Sequence, residues 1–231
     1  MVPLGNEFGW DRAQISLALT FFTVALALSL PIAGRGVDRW GSRRVLVPSI
    51  LVVGIGLVAI PLLVKHLWTL LVIFALIGSL GAGANSLPYM RTIATWFDRR
   101  RGLAIGVAMA GAGLGYAYVP PLVQYMIDSY GWRAGYFVLA GITLCMGVPL
   151  IALFLQESPA DLGLRPDGLK DEPTDAAPET LLGMDRSEAL RTMSFWILFL
   201  VFGVLAFSLY GLLPHLVPML TDCGMGSAEA A

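Results

Sequence analysis

Long apolar stretches, each close to 20 residues or more, are the feature that most limits how this chain can fold. A helix needs about 20 apolar residues to cross the hydrocarbon core of a bilayer. Only helices and closed barrels satisfy every backbone hydrogen bond in lipid, and these stretches lack the alternation of barrel strands. The chain is therefore predicted to be an all-α integral membrane protein. Six transmembrane helices are predicted, near Ile15–Ala33, Val45–Val64, Leu67–Thr92, Leu103–Ile127, Ala134–Leu155 and Phe195–Leu220.

The composition agrees with a membrane setting. Of the 231 residues, 57% are hydrophobic and 13% are charged, whereas about a quarter of the residues in a soluble domain are charged. Cys145 and Cys223 lie far apart without metal-ligand spacing and are interpreted as small apolar side chains. The predicted helices hold no metal-spaced cluster, no nucleophile elbow and no paired carboxylates. We therefore expect neither enzymatic activity nor a metal, cofactor or nucleic-acid partner.

The distribution of Lys and Arg predicts the orientation, because cytoplasmic loops carry an excess of these residues. One side of the membrane receives twelve of them: Arg35, Arg39, Arg43, Arg44, Arg91, Arg99, Arg100, Arg101, Arg165, Lys170, Arg186 and Arg191. The other side receives three: Arg12, Lys65 and Arg133. All six tryptophans fall at predicted helix ends, where aromatic belts form. The loops at 34–44, 98–102 and 156–191 are therefore predicted to be cytoplasmic in a multi-pass protein of the cell's inner or plasma membrane.

The segment 34–44 places four arginines, one aspartate and three glycines between two apolar runs. Glycines allow a tight turn, and the arginines favour the cytoplasmic side. Five residues match the pattern G-x-x-x-D-R-x-G-x-R, and the segment resembles the loop between the second and third helices of the major facilitator superfamily. They are Gly34, Asp38, Arg39, Gly41 and Arg43. The alternative is a generic turn held inside by its arginines.

The resemblance implies a conformational gate. In the superfamily, the aspartate caps the N-terminus of a helix in the opposite half and so latches one conformation through the helix dipole. For Asp38, that partner helix would lie outside this chain. Arg91 is predicted to belong to the same gate or to snorkel towards the surface, with direct contact to an anionic substrate as the alternative. Asp98 follows seven residues later on nearly the same helical face, so an ion-pair network with the first loop is expected.

Further segments are similar to the monocarboxylate and oxalate/formate-type transporters of this superfamily. The stretch Trp96–Gly106 resembles the loop before their fifth helix, and His215–Leu220 resembles the end of their seventh. Phe8–Trp10, Gly131–Arg133 and Leu162–Gly168 resemble other loops of that branch. The resemblance implies a partial major facilitator fold that contains family helices two to seven.

The implied organisation has three parts. Residues 1–155 form an incomplete N-terminal half, 156–191 a cytoplasmic linker, and 192–231 the first helix of the C-terminal half. The linker is rich in Pro, Asp and Glu and holds no apolar run of spanning length. The edges of the sequence are interpreted as those of a truncated protein.

The resemblance implies a secondary active transporter that moves a small organic anion, above all a monocarboxylate, by alternating access. The predicted spans hold no Asp or Glu, which disfavours a cationic substrate. The lipid bilayer and a small organic anion are the expected partners, and protons are a candidate coupling ion. The alternatives are a transporter of another solute, such as a drug, a sugar or a nitrate-like anion, and a truncated product without transport activity. Symport and antiport both stay open.

Five polar residues of the predicted helices are candidates for substrate binding: Tyr89, His215, Asn85, Tyr116 and Tyr210. Asn85 and Tyr89 lie four residues apart and would share a helical face. An imidazole at His215 can bind a carboxylate or carry a proton near neutral pH, and the resemblance implies a tyrosine and a histidine on these two helices at the site. The alternatives are a helix–helix hydrogen bond for Tyr89, a wetted vestibule for His215, and packing for Tyr116 and Tyr210.

Glycine-rich stretches at 78–83, 102–106 and 111–115 are interpreted as faces for close helix packing rather than as phosphate loops. They lie inside apolar spans and follow no strand. Pro88 is expected to kink the helix that carries Tyr89.

Overall fold

The computed structural model describes residues 2–168, 188 and 190–222, but not the side chains at 2–3, 6, 209–218 and 220–222. The chain divides into two compact units, Met1–Asp171 and Glu172–Ala231. Most of the predicted linker lies outside the described residues. The α-helices of the described part are α1 Val2–Phe8, α2 Arg12–Trp40, α3 Ser42–Leu63, α4 Leu67–Leu80, α5 Ser86–Trp96, α6 Arg101–Tyr130, α7 Trp132–Gly141, α8 Val148–Phe154 and α9 Met193–Asp222. A π-helical segment, Ile142–Gly147, joins α7 to α8.

Five helical segments are long and apolar enough to cross a bilayer: Arg12–Trp40, Ser42–Leu63, Leu67–Trp96, Arg101–Tyr130 and Trp132–Phe154. They coincide with the first five predicted spans. The sixth predicted span lies within α9, whose portion Met193–Ser208 is described with its side chains and is apolar. The prediction of an all-α, multi-pass membrane protein is confirmed.

The segment 34–44 is mostly helical, so its prediction as a loop is wrong. α2 continues to Trp40, and α3 begins at Ser42. Gly41 alone interrupts the two helices, with φ at +88°. The helices are longer than the apolar stretches. Their ends can extend beyond the hydrocarbon core because arginine and aspartate side chains there reach water. Hereafter the end of this unit where α2 meets α3 is the Gly41 end, and the opposite end, where α7 begins, is the Trp132 end.

The predicted span Leu67–Thr92 is broken in its interior. α4 ends at Leu80, a 3-10 turn follows over Gly81–Ala84, and Asn85 is extended before α5 begins. Asn85 is the N-cap residue of α5, and its side chain accepts a hydrogen bond at 2.6 Å from the backbone N–H of Ser86, one of the N–H groups that lack a partner within the helix. The chain therefore breaks before Pro88 rather than kinking at it, because proline is tolerated in the first turn of a helix.

The interior of the unit 1–171 is built mainly by α2 on α4 and by α3 on α7. Its buried apolar core includes Ile15 of α2, Ile60 of α3 and Leu70 of α4. Gly78 lies directly against α2, where an added Cβ would overlap the carbonyl oxygen of Phe22. The glycine-rich stretch beginning at Gly78 thus serves close helix packing, as predicted.

α6 is packed differently. None of its residues is buried within the described structure. An added Cβ at Gly102, Gly106, Gly111 or Gly115 would meet no described atom within 4 Å. The close packing predicted for these glycines is therefore absent among the described residues, because α6 is held in its unit chiefly by α7.

At the Trp132 end, α1 is joined to the start of α7. The carboxylate of Glu7 accepts a hydrogen bond from Arg133 Nη2 at 2.6 Å and another from the indole N–H of Trp132. Phe8 stacks on Trp10 with 4.6 Å between ring centres and meets the edge of Trp132 at 6.3 Å. These hydrogen bonds, first that of Trp132 and then that of Arg133, hold the pKa of Glu7 below its ordinary value.

Candidate functional site

The backbone conformation favours glycine at the Gly41 turn. Its φ of +88° and ψ of 164° lie in a region that other residues rarely adopt. In addition, an added Cβ would overlap the carboxylate of Glu157. The backbone at this point is therefore pressed against an acidic side chain that comes from the end of α8.

Arg91 on α5 reaches across to the last turn of α2. Its Nη1 atom lies 3.4 Å from Oδ1 of Asp38 and also donates a hydrogen bond to the carbonyl of Val37. Cations are favoured at a helix C-terminus, where the carbonyl groups lack partners. The two charged side chains are 41% and 79% exposed, so we expect the ion pair to stabilise the fold by about 1 kcal/mol or less.

Ser42, on the other side of the turn, is bound to the same short helix α5. Its Oγ donates a hydrogen bond to the carbonyl of Pro88 at 3.2 Å in buried surroundings. Thr92 donates to that carbonyl as well, at 3.0 Å. α5 therefore contacts both arms of the Gly41 turn, the end of α2 through Arg91 and the start of α3 through Pro88.

Glu157 has no place among the sequence-based candidates, yet it contacts the turn directly. Its Oε1 accepts a hydrogen bond at 3.2 Å from the backbone N–H of Arg43, in the first turn of α3. Backbone N–H groups in a first helical turn lack partners, and the helix dipole favours a carboxylate there. The guanidinium of Arg43 donates in turn to the carbonyl of Ala152. One clue was available, because Glu157 is the first acidic residue after the fifth apolar run.

The backbone beside Glu157 also binds the end of α5. Thr95 Oγ1 donates to the carbonyl of Glu157 at 3.0 Å, and Trp96 Nε1 donates to the carbonyl of Gln156 at 3.0 Å. Side-chain hydrogen bonds thus connect α3, α5 and the segment after α8 at the Gly41 end.

Asp98 lies apart from this set of contacts among the described residues. α5 ends at Trp96, and Asp98 pairs instead with Arg101, with 3.7 Å between Oδ1 and Nη2. Seven-residue spacing implies a shared face only within a continuous helix, and the helix has ended before Asp98. The backbone N–H of Arg99 donates to Asp167 Oδ2 at 2.9 Å.

Arg39 and Gly34, which also belong to the matched pattern, make weaker contacts than Asp38, Gly41 and Arg43. The guanidinium carbon of Arg39 lies 6.0 Å from the ring centre of Trp40, a distance at which a cation–π interaction is weak. Gly34 would meet no described atom within 4 Å if it carried a Cβ. No close approach therefore requires glycine at position 34, in contrast to Gly41.

Asn85 and Tyr89 lie beside the break between α4 and α5. Asn85 Oδ1 is occupied by Ser86, accepting from its N–H at 2.6 Å and from its hydroxyl at 3.1 Å. Asn85 can therefore offer a ligand its amide N–H groups. Tyr89 lies in α5 and is partly buried. The argument that the two residues share one helical face does not apply, because the backbone of Asn85 is extended.

Of the three remaining candidates, only Tyr116 has a described side chain. Tyr116 projects from α6 and is 80% exposed. Tyr210 and His215 belong to α9, and their side chains lie outside the described residues. No group of three His, Cys, Asp or Glu side chains that could hold a metal occurs in the part that the structure describes.

The entire chain, residues 1–231, matches the sequence model of the Major Facilitator Superfamily. The chain belongs to the major facilitator superfamily. The resemblance drawn from the segment 34–44 is thereby confirmed. Membership of this superfamily points to a transporter rather than to an enzyme.

Several curated transporters are similar to this superfamily member. Monocarboxylate transporter 11 of Mus musculus is 28% identical over 217 residues, which cover 92% of this chain and 46% of that protein. Monocarboxylate transporter 2 of Mus musculus is 31% identical over 137 residues, or 59% of this chain and 28% of that protein. Riboflavin transporter RibJ of Trypanosoma brucei brucei is 33% identical over 122 residues, or 53% of this chain and 22% of that protein. The chain spans less than half the length of these relatives.

Proposed function

We propose that the protein works in a secondary active transporter that moves a small organic anion, above all a monocarboxylate, by alternating access. One geometric observation carries the proposal. The short helix α5 holds Tyr89 beside a break within a membrane-spanning segment and holds Arg91 in contact with the end of α2. A single helix thus links a candidate substrate residue to a candidate gate. The similarity to monocarboxylate transporters supports the substrate class.

A carboxylate in the membrane interior needs hydrogen-bond donors and no competing negative charge. The hydroxyl of Tyr89 and the amide of Asn85 supply donors next to the break, and the predicted apolar spans contain no Asp or Glu. Broken helices place backbone groups and side chains at substrate sites in many transporters. His215 is proposed to complete the site and to carry a proton if transport is coupled to protons. Tyr116 and Tyr210 are proposed to line the edge of the substrate site.

The gate is proposed to consist of the contacts around Gly41. Movement of α5 about the break at 81–85 would separate Arg91 from Asp38 and strain the hydrogen bond between Ser42 and Pro88. An exposed ion pair worth about 1 kcal/mol or less can break in every transport cycle without a large barrier. Asp38 remains 79% exposed on its side chain, so it is also accessible to a helix that follows this chain in a longer protein. Arg43 belongs to these contacts through Glu157 and Ala152. Gly34, Arg39 and Asp98 make none of them and are proposed for the gate from the sequence alone.

The identity of the substrate can be tested by measuring uptake into proteoliposomes. These contain the protein expressed from its full reading frame. The probes are radiolabelled lactate and pyruvate, with succinate, glucose, nitrate and riboflavin for comparison. We expect saturable uptake of the monocarboxylates and a raised KM in Tyr89→Phe, because the variant lacks the donor hydroxyl. Tyr118→Phe is the matched control, since Tyr118 is 73% exposed on α6.

Gate variants in the same assay separate the gate from the substrate site. Asp38→Asn should abolish or strongly reduce uptake with normal membrane insertion. Arg91→Gln should reduce uptake less, since the Arg91–Asp38 pair is worth about 1 kcal/mol or less, and the double variant should be no worse than Asp38→Asn alone. Arg35→Gln, a neighbouring exposed arginine outside the matched pattern, is the control. Normal uptake by Asp38→Asn would remove the gate role. Uptake of riboflavin without uptake of monocarboxylates would favour a second candidate, a transporter of a neutral ring-containing solute, which the identity to RibJ supports.

A further inference from the structure

At the Trp132 end, Glu7 occupies a set of hydrogen-bond donors that is suited to other carboxylates as well. Its Oε1 accepts from Arg133 Nη2 at 2.6 Å, and its Oε2 accepts from Arg133 Nη1 at 3.3 Å and from the indole N–H of Trp132. A guanidinium that donates to both oxygens matches the planar shape of a carboxylate. The side chains of Arg133 and Glu7 are 49% and 37% exposed, so a solute can reach these donors from water.

Contacts within α7 also position these donors. Trp132 is buried, with 7% of its surface exposed, and its ring meets the edge of Tyr136 with 5.9 Å between ring centres. The guanidinium carbon of Arg133 lies 4.6 Å from the centre of the Trp132 ring, which is close enough for a cation–π interaction. Departure of Glu7 would therefore leave the donors of Trp132 and Arg133 near their present positions.

An apolar pocket of about 200 Å³ lies beside the Trp132 ring, between α1, α6 and α7. α1 contributes Leu4 to its wall, α6 contributes Val123 and Ile127, and α7 contributes Leu139. Pockets for drug-sized ligands measure about 300–1,000 Å³. This smaller pocket is suited to a short apolar tail.

The pocket and the carboxylate-binding donors meet at Trp132, whose ring lines the pocket and whose N–H binds Glu7. Leu4 and Glu7 are three residues apart on α1, a spacing that places side chains side by side on a helix. α1 therefore brings an apolar group to the pocket and a carboxylate to the donors at the same time. A small molecule that carries both groups would match the same surface.

We propose that the Trp132 end binds a monocarboxylate with a short apolar tail, such as hexanoate. The carboxylate of the ligand replaces that of Glu7 on Arg133 and Trp132, and its tail enters the pocket beside Leu139. α1 is then a built-in competitor, which lowers the apparent affinity because only the fraction of molecules with Glu7 displaced can bind. The proposed transport mechanism does not use this site.

Calorimetric titration of the purified full-length protein in lipid nanodiscs tests the chemistry of the ligand, with empty nanodiscs as the blank. The probes are the straight-chain carboxylates from acetate to hexanoate, together with hexanol and hexylamine. Each methylene added between acetate and hexanoate should tighten binding by about fourfold. Hexanol should bind about tenfold more weakly than hexanoate because it lacks the charged acceptor. Hexylamine, which brings a positive charge to Arg133, should not bind.

A photoreactive diazirine analogue of hexanoate tests the location. After irradiation, peptide mass spectrometry should find the label on α1, α6 and α7 at the Trp132 end, and excess hexanoate should prevent labelling. A label on α5 instead would assign hexanoate to the proposed transport site and overturn the present proposal.

Variants test whether α1 competes with the ligand. Arg133→Gln should weaken hexanoate by about tenfold. Glu7→Gln should tighten it by up to about fivefold, the factor that an exposed ion pair is worth. A purely structural role of Glu7 predicts no tightening. Leu139→Phe, which fills part of the pocket, should weaken hexanoate but not acetate. Lys65→Gln, which removes another cation at this end of the protein, is the control and should change neither.

Three results of these titrations would overturn the proposal. Equal affinity for acetate and hexanoate would show that the pocket receives no tail, and equal affinity for hexanol and hexanoate would show that the donors bind no carboxylate. Unchanged or weaker binding of hexanoate to Glu7→Gln would remove the competition by α1. The comparisons among ligands and the labelling need no variant, so they decide the question even if Arg133→Gln or Leu139→Phe unfolds. Transport is not the readout, so this proposal and the proposed function can fail separately.

Discussion

Gly34 and Gly41 are equivalent glycines of one sequence pattern, yet their surroundings differ. Gly34 lies in the helical part of α2 with open space around its Cα. Gly41 has a positive φ and faces the carboxylate of Glu157. The pattern predicted a tight turn correctly but could not say which glycine makes it. The folded backbone gives that information, because among the glycines of the segment 34–44 only Gly41 has a positive φ.

Alanine substitutions separate these two glycines. Gly41→Ala should destabilise the protein by about 1–3 kcal/mol because of the backbone conformation at this position. Gly34→Ala should leave stability unchanged or raise it slightly, because alanine is favoured over glycine inside a helix. The measurement is thermal unfolding in detergent. Equal destabilisation by the two substitutions would contradict the geometry of the turn.

At the scale of the elements, the break between α4 and α5 is the main departure from the predicted helices. Its causes are present in the sequence, since Gly81, Gly83, Asn85 and Pro88 all occur within eight residues. A hydropathy profile does not reveal these causes, because glycine and alanine do not interrupt an apolar run. A prediction by span length therefore found the membrane crossing but not the interruption inside it.

Substitutions at Asn85 test whether it caps α5, binds substrate, or does both. Asn85→Ala should cost about 1 kcal/mol of stability through loss of the N-cap. Asn85→Ser keeps a side-chain acceptor and should retain stability, while raising KM for the monocarboxylate because the amide donors are lost. Thermal unfolding and uptake kinetics measure the two effects separately. An unchanged unfolding temperature in Asn85→Ala would rule out the capping role.

The attachment of α1 to the start of α7 should loosen in acid. The ionised carboxylate of Glu7 is favoured by its contacts to Trp132 and Arg133, so its pKa lies below the ordinary value in the folded protein. The stabilisation is therefore complete above the ordinary pKa of a glutamate and is lost as the pH falls through the lowered pKa. Protonation of Glu7 removes a charged acceptor from both partners.

Hydrogen–deuterium exchange of α1, corrected for the intrinsic pH dependence of exchange, measures this loosening. Protection should fall as the pH drops from 7 towards 3, and Glu7→Gln should show the low protection already at pH 7. Glu157→Gln, at the Gly41 end, is the control and should not affect α1. Equal protection of α1 in the unaltered protein and in Glu7→Gln at pH 7 would show that the carboxylate does not hold this helix.

At the scale of the whole molecule, the orientation in the membrane is still a prediction from charge. Arg35, Arg39, Arg43 and Arg44 surround the Gly41 turn, and positively charged residues favour the cytoplasmic side. Lys65 lies at the opposite end, after α3. We therefore expect the Gly41 end to face the cytoplasm.

Labelling of single cysteines in intact cells tests this orientation. In a background with Cys145→Ser and Cys223→Ser, an impermeant maleimide should label Lys65→Cys at once. It should label Arg100→Cys only after the cells are permeabilised, because Arg100 lies at the Gly41 end between α5 and α6. The cysteine-free background is the control for non-specific labelling. The reverse pattern would place the Gly41 end outside.

The sequence by itself determined the helical membrane fold, the number and place of the described crossings, and the superfamily. The fold and the crossings follow from local composition, because lipid forces any long apolar run to satisfy its own backbone as a helix whatever lies beside it. The superfamily follows instead from the resemblance of the segment 34–44 to a known pattern. Tertiary structure alone decided that Glu157 binds the start of α3 and that Ser42 holds α5. Hydropathy shows that a segment crosses the membrane but not which face meets which neighbour. Contacts between distant residues therefore appear only once the helices are packed.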